Sequence, residues 1–105
     1  MGVTNIDADT LECLRDKGAQ VVDVRTGPEI ARGVIPGASH IALNQIAARA
    51  GELDQMAPVV LYCQSGGRSA GAAQFLVSQG FQQVYNLQGG IIAWAAAGRP
   101  VGSLA

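Results

Sequence analysis

One cysteine occupies a position where a thiolate would be stabilised. Residues 62–69 are Tyr-Cys-Gln-Ser-Gly-Gly-Arg-Ser, which places Cys63 after an apolar run and before a helical pattern. In open α/β sheets, ligands bind beyond the carboxyl ends of the strands. A loop at a helix N-terminus directs backbone N–H groups at one point, and Arg68 adds a positive charge nearby. These groups favour thiolate over thiol, so Cys63 is the candidate nucleophile.

The residues that follow Cys63 form the candidate binding loop, namely Gln64, Ser65, Gly66, Gly67, Arg68 and Ser69. Its two glycines can adopt positive φ values, which would let the backbone curl around a sulfur atom. Attack of the thiolate on a sulfane sulfur would leave a persulfide, whose terminal sulfur is also anionic. We therefore expect one set of donors to serve both states of Cys63.

Loop length separates sulfur chemistry from phosphate chemistry. Four residues lie between Cys63 and Arg68, whereas a phosphate-hydrolysing cysteine loop typically holds one more, because a tetrahedral oxyanion needs a wider ring of donors. A phosphatase would also need a general acid, and the sequence nominates none. The remaining alternative, a cysteine that is only a small buried residue at a strand end, ranks well behind.

Short apolar runs alternate with helical patterns along the chain, which predicts an α/β fold with a mainly parallel sheet. Strands are predicted at 20–24, near His40 and Ile41, at 59–62 and at 84–87. Helices are predicted at 7–17, 44–50, 69–79 and 90–97. The segment 26–39 is rich in turn-forming residues and is expected to be a loop. The strand at 59–62 is continuously apolar, as in a buried parallel strand, and it leads directly into Cys63.

Composition limits the kind of protein and its partners. The length of 105 residues and the 49% apolar content predict one domain spanning residues 1–105. The formal net charge is −1 without charged blocks, which argues against nucleic acid and anionic membranes as partners. Only 14% of residues are charged, so part of the surface should be apolar. Two cysteines, no leader pattern and no membrane span favour a soluble, cytoplasmic protein.

Three separated stretches resemble the rhodanese family of sulfurtransferases. The first has Asp-Val-Arg at 23–25, then Glu29, then Gly-Val-Ile-Pro-Gly-Ala at 33–38. The second is the loop at 63–69, which is similar to the family's Cys-x-Ser-Gly-x-Arg-Ser form. The third contains Gly-Phe at 80–81, Val-Tyr-Asn-Leu at 84–87, Gly-Gly at 89–90, Trp94, Gly98 and Pro-Val at 100–101. The likeness extends from Ile6 to Val101.

The resemblance implies a single rhodanese-like domain with a five-stranded, mainly parallel sheet flanked by helices. It implies transfer of sulfur from thiosulfate or a similar donor, through a Cys63 persulfide, to a thiophilic acceptor such as cyanide, a small thiol or a protein thiol. It implies no metal and no organic cofactor. By position, Cys63 matches the catalytic cysteine and residues 64–69 match the loop whose amides surround the sulfur, with Arg68 assisting anionic donors.

Several other residues have structural interpretations. Val34 stands where the family motif usually has His, and we expect this change to affect loop packing more than catalysis. Asp23, Arg25 and Glu29 could line the active pocket, but an ion pair or loop clamp is the favoured interpretation for all three. His40 is the only histidine, and no further metal ligands lie near it in sequence, so it is interpreted as a loop or strand-end residue.

Two residues of the terminal helices are predicted to be buried. Cys13 lies between Leu11 and Leu14, and it could resolve a Cys63 persulfide only if the two sulfurs came close; a buried helix residue is favoured instead. Trp94, with Ile91 and Ile92, is expected to anchor packing.

Four functions remain to be separated. Two use Cys63 for sulfur transfer: an enzyme of general thiosulfate type, and a relay whose acceptor is a protein thiol. A binding or sensing module without turnover is disfavoured by the presence of both Cys63 and Arg68. A cysteine phosphatase or arsenate reductase is disfavoured by the short loop.

Overall fold

Five parallel strands form one sheet in the order β1-β5-β4-β2-β3. The structure is a computed structural model that describes residues 2–104. The strands are β1 (Thr4–Ile6), β2 (Gln20–Asp23), β3 (Ser39–His40), β4 (Val59–Tyr62) and β5 (Val84–Leu87). The most buried strand, β4, lies at the centre, and all four of its residues are buried. The predicted α/β fold with a five-stranded parallel sheet is confirmed.

Five helices connect and flank these strands, with two short 3-10 turns at Leu43–Gln45 and Ala50–Glu52 on either side of the third helix. They are α1 (Ala8–Asp16), α2 (Gly27–Ile30), α3 (Ile46–Arg49), α4 (Gly67–Ser78) and α5 (Gly90–Ala96). The start of α1 follows from its cap, since the Asp7 side chain accepts a hydrogen bond of 2.9 Å from the backbone N–H of Thr10. None of the described helices has the length and apolarity needed to cross a bilayer.

The alternation of side chains along β4 builds a separate core on each face of the sheet. Val59, Leu61 and Cys63 belong to the core that also contains Ala72 and Leu76 of α4. Val60 and Tyr62 belong to the other core, with Leu11 of α1 and Trp94 of α5. Because successive strand residues face opposite ways, Cys63 continues the face that packs against α4.

The structure confirms most predicted elements and adds two. The strands at 59–62 and 84–87 have the predicted bounds, and the helix predicted at 69–79 begins earlier, at Gly67. The apolar patterns of the sequence predicted neither β1 nor α2. β1 has only three residues, of which Ile6 alone is buried, so it carries little apolar signal. α2 is a single turn that starts with Gly and Pro, both of which are typical of loops.

Burial confirms one of the two helix predictions. Trp94 is fully buried, and its indole N–H donates to the backbone oxygen of Pro100 at 2.7 Å. The prediction that Cys13 is buried is wrong, because Cys13 is exposed. Leu11 is the residue of α1 that faces the core, and a side chain two positions later points to the far side of the helix. Ile92 also departs from its predicted packing role, since it is 54% exposed.

Candidate active site

The thiol of Cys63 lies at the carboxyl end of the central strand and is almost completely buried, with 1% of the residue exposed. Its Sγ accepts a hydrogen bond of 3.1 Å from the backbone N–H of Gly66. The hydroxyl of Ser69 lies 3.4 Å from the same sulfur. The loop therefore surrounds the sulfur with donors from its own backbone and from the first turn of α4.

Gly66 makes this tight loop possible. Its φ is +105°, in the left-handed region that L side chains rarely adopt, and a Cβ there would lie 3.3 Å from the backbone nitrogen of Gly89. Gly67, which the sequence also allowed to take a positive φ, does not have one and instead starts α4. One glycine turns the chain, and the next is free to enter the helix.

The start of α5 holds the strand end from the other side. The backbone N–H of Ile91 donates to the Cys63 oxygen at 3.0 Å, and that of Ile92 donates to the Gln64 oxygen at 3.2 Å. Gly90 permits this approach, because a Cβ at that position would lie 2.4 Å from both carbonyl oxygens. Both carbonyls are therefore directed at α5.

Asn86 of β5 supports the loop from the neighbouring strand. Its Nδ2 donates to the oxygen of Gly66 at 3.2 Å and to Asn5 Oδ1 at 3.1 Å, which orients the amide. Its Oδ1 then accepts from the Ser69 hydroxyl at 2.5 Å. A hydroxyl has a single hydrogen, so Ser69 donates to one acceptor at a time: Asn86, the Gly66 carbonyl oxygen at 3.3 Å, or a Cys63 thiolate. Asn86 was not among the predicted site residues, although it is part of the Val-Tyr-Asn-Leu motif.

The surroundings lower the pKa of the Cys63 thiol below its ordinary value. Burial acts in the opposite direction and raises it. Hydrogen bonds outweigh burial, first from the Ser69 side chain and backbone, then from the backbone N–H groups of Gly66 and Ser65. The loop thus favours the thiolate mainly through dipoles rather than through a nearby full charge.

Arg68, the cation of the loop, is paired with Glu29. Its Nη1 and Nη2 each donate to one carboxylate oxygen of Glu29, both at 2.7 Å. Glu29 is anchored in turn at the start of α2, since its Oε1 accepts from the Thr26 backbone N–H at 3.1 Å and from the Thr26 hydroxyl at 3.0 Å. The Arg68 guanidinium holds the pKa of Glu29 at about 2 against the raising effect of burial.

A second ion pair is buried under the loop. Arg25 and Asp23 are 3% and 0% exposed, and Arg25 Nη2 lies 2.7 Å from Asp23 Oδ2. Arg25 also donates to the oxygen of Gly33 at 2.6 Å and to Gln64 Oε1 at 3.3 Å. These contacts tie the carboxyl end of β2 to the segment before β3 and to the loop that follows Cys63, as the clamp interpretation expected.

A cavity of about 440 Å³ lies beside the loop. One wall is aliphatic and contains Ile91, Ile92, Ala95 and Val101. The polar lining consists of Arg25, Glu29, Arg32, Gly33 and Gln64. Two of the lining residues are neighbours of Cys63, since Gln64 follows it in the chain and the Ile91 backbone N–H donates to its carbonyl oxygen.

Comparison with known proteins identifies the family. A family model described as the rhodanese-like domain matches residues 7–97. The chain belongs to the rhodanese family. A sulfurtransferase of Allochromatium vinosum is 44% identical over 101 residues, covering 94% of each chain. A thiosulfate sulfurtransferase GlpE of Pseudomonas fluorescens is 46% identical over 91 residues, covering 85% of this chain and 82% of the relative.

Solved rhodanese structures share the fold. The crystal structure of a rhodanese-related protein from Thermoplasma volcanium superposes with a TM-score of 0.84 at 30% identity, covering 93% of this chain and 96% of the other. The family model and the shared fold both confirm that the sequence resembles the rhodaneses.

Apart from Gly67, which starts α4, the predicted loop residues fall into three groups. Ser65, Gly66 and Ser69 contribute donors to the sulfur, Gln64 lines the cavity and contacts Arg25, and Arg68 binds Glu29. The two cysteines are not brought together, because Cys13 is exposed on a helix that packs on the opposite face of the sheet from Cys63. Arg32, Val101 and the exposed Ile92 of the cavity were not predicted, because no motif in the sequence marks them as cavity residues. Within residues 2–104, the acidic, histidine and cysteine side chains form no group of three suited to a metal ion.

Proposed function

We propose that this rhodanese transfers sulfane sulfur through a persulfide on Cys63. The Sγ thiolate attacks the outer sulfur of thiosulfate, the sulfur–sulfur bond of the donor breaks with its electron pair, and sulfite leaves. A thiophilic acceptor then takes the terminal sulfur and restores the thiolate. The observation that carries the proposal is the position of Cys63 Sγ among the Gly66 N–H, the Ser69 hydroxyl and the start of α4.

The same donors suit each anionic state of the reaction. Their hydrogen bonds lower the pKa of Cys63, which supplies the nucleophile at neutral pH. A persulfide moves the negative charge outward by one sulfur, toward the mouth of the loop and within reach of the remaining backbone N–H groups. The step requires no cofactor, because the donor itself brings the transferred atom and the leaving group.

The loop supports sulfur over phosphate as the transferred group. With four residues between Cys63 and Arg68, the Gly66 N–H is already in contact with the sulfur of Cys63. Arg68 is held by Glu29, whereas phosphoryl transfer would need that guanidinium to hold the phosphate oxygens. Negligible hydrolysis of a chromogenic phosphate ester is expected.

The partners we propose are small sulfur-containing substrates, with a protein thiol as a second kind of acceptor. The exposed Ile92 and Val101 on the wall of the cavity favour the latter, because apolar side chains at the mouth of a site suit contact with another protein. We propose that residues 1–105 act as one domain in the cytoplasm, where thiols remain reduced.

The test is the intact mass of the protein before and after incubation with thiosulfate. A gain of one sulfur atom that cyanide removes is expected for the unmodified chain and for Cys13→Ser, and no gain is expected for Cys63→Ser. Cys13→Ser is the matched control, because it removes the other thiol from an exposed position. A gain that persists in Cys63→Ser, or that disappears only in Cys13→Ser, would exclude Cys63 as the sulfur carrier.

A further inference from the structure

Glu29 holds the only cation of the catalytic loop in a two-point ion pair. Both donor–acceptor distances to Arg68 are 2.7 Å, and Thr26 supports the same carboxylate with two further hydrogen bonds. The pair is partly exposed, with 38% of the Arg68 side chain and 25% of the Glu29 side chain accessible. The guanidinium is therefore fixed in place and neutralised at the edge of the site.

Arg68 is nevertheless within electrostatic range of the reacting sulfur. Its pKa is raised first by the hydrogen bonds to Glu29, against the effect of burial, and then by the charges of Glu29 and of Cys63. An unpaired Arg68 would therefore attract any anion that approaches Cys63. The carboxylate of Glu29 offsets most of that attraction, because a charge and its close counter-charge act on a third group as a dipole.

Glu29 also lines the cavity beside the loop, and the two arginines of that lining, Arg25 and Arg32, leave little uncompensated charge there. Arg25 is neutralised by Asp23, and within residues 2–104 Arg32 is the arginine that has no acidic partner. The facing wall is aliphatic, with Ile91, Ile92 and Val101. A cavity with a single uncompensated cation and an aliphatic wall suits a singly charged ligand that has an apolar body.

We propose that Glu29 is a specificity-determining residue, which masks Arg68 and thereby favours monoanionic sulfur donors with an apolar group over the thiosulfate dianion. The inference rests on the proposed sulfur transfer and names the donor class that the same site prefers. For an organic thiosulfonate, Cys63 Sγ bonds to the terminal sulfur, the sulfur–sulfur bond of the donor breaks, and a sulfinate leaves with the electron pair.

The experiment compares two donors in the unmodified chain and in Glu29→Gln. Glutamine keeps an oxygen for Thr26 and for one Arg68 nitrogen but removes the charge that masks the guanidinium. The measured quantity is kcat/KM for thiosulfate divided by kcat/KM for benzenethiosulfonate, with cyanide as the common acceptor. At low ionic strength this ratio is expected to rise by roughly fivefold. Thiosulfate carries one more negative charge than benzenethiosulfonate, so it gains more from the attraction of an unmasked guanidinium. The rise should shrink in high salt.

A second readout separates charge from loop structure. Unmasking Arg68 should lower the pKa of the Cys63 thiol further, seen as thiolate absorbance that appears at lower pH, whereas a loosened loop would raise that pKa.

Two variants serve as controls. Thr26→Val tests the anchor of Glu29, since it removes the hydroxyl bond to Glu29 and keeps every charge. Glu52→Gln removes the acid of the exposed Arg49 pair on another part of the surface. Neither control should change the donor ratio.

The outcomes distinguish the specificity role from the function on which it rests. A folded Glu29→Gln variant with an unchanged donor ratio overturns the inference, as does an equal shift in Thr26→Val. If Glu29→Gln does not fold, Glu29→Asp replaces it, because its shorter side chain loosens the ion pair with Arg68. A smaller rise of the donor ratio is then expected, and an unchanged ratio overturns the inference. Failure of both donors to load the unmodified chain would instead overturn the proposed sulfur transfer.

Discussion

The Sγ of Cys63 lies 3.1 Å from the backbone nitrogen of Gly66, so the loop folds back to donate a hydrogen bond to Cys63, the residue at which it begins. Gly66 is also the residue that precedes α4, with φ +105°. One residue thus supplies a donor to the sulfur and the turn that leads the chain into the helix.

Gly66→Ala should damage the site and the stability of the protein. A positive φ at a residue with a side chain costs about 1–2 kcal/mol, and the added Cβ would press against the backbone of Gly89. Chemical denaturation should show that loss, together with a raised pKa of Cys63. The control is Gly71→Ala in α4, where a Cβ meets nothing within 4 Å. That change should stabilise the helix by about 0.5–1 kcal/mol; equal behaviour of the two variants would contradict the role given to Gly66.

Ser69→Ala should raise the pKa of the Cys63 thiol. The Ser69 side chain is the foremost of the hydrogen-bonding groups that lower this pKa against burial, so its removal leaves burial less opposed. The acidic limb of the kcat/KM profile should move to higher pH. Sulfur loading at neutral pH should slow by roughly tenfold, as expected for a lost hydrogen bond to a charged group. Ser78→Ala, which removes an exposed hydroxyl of the same helix, should leave the profile in place.

Asp23→Asn should destabilise the fold strongly. The change leaves the guanidinium of Arg25, which is 3% exposed, without its counter-charge. Breaking a buried pair on one side costs about 3–5 kcal/mol, whereas Glu52→Gln breaks an exposed pair and should cost about 0–1 kcal/mol. Urea denaturation measures both values. Similar losses in the two variants would show that the Arg25 clamp is not needed to hold the fold.

Acid should weaken the protein partly through Glu29. Its hydrogen bonds with Arg68 hold its pKa at about 2, below the ordinary value of 4.5. A carboxylate with a lowered pKa stabilises the folded state above the unfolded pKa, and that contribution is lost as the pH falls through the folded pKa. Between pH 4.5 and 2, Glu29→Gln should therefore lose less stability than the unmodified chain. Thermal denaturation across this range would contradict the assignment if both proteins weakened in parallel.

Local patterns were sufficient to predict most of the elements. The strand Val59–Tyr62 is continuously apolar and the helix after Asp7 has its cap in sequence, so both followed from neighbouring residues. The strand Thr4–Ile6 did not, because its backbone is stabilised by pairing with β5, whose partner residues lie 81 positions further along the chain. Cys13 was misplaced for a related reason: Leu11 and Leu14 on either side suggested burial, and only the packing of α1 decides which side faces the core.

The sequence by itself determined the cysteine, the length of its loop, the two glycines available to turn it and the α/β alternation that brings it to a strand end. Each of these depends on residues that are close together in the chain. The tertiary structure alone decided that Arg68 is paired with Glu29, that Asn86 orients Ser69, and that Arg32 and Val101 share a cavity with Gln64. These contacts join residues distant in sequence, and they exist only because a parallel sheet brings its loops to one edge.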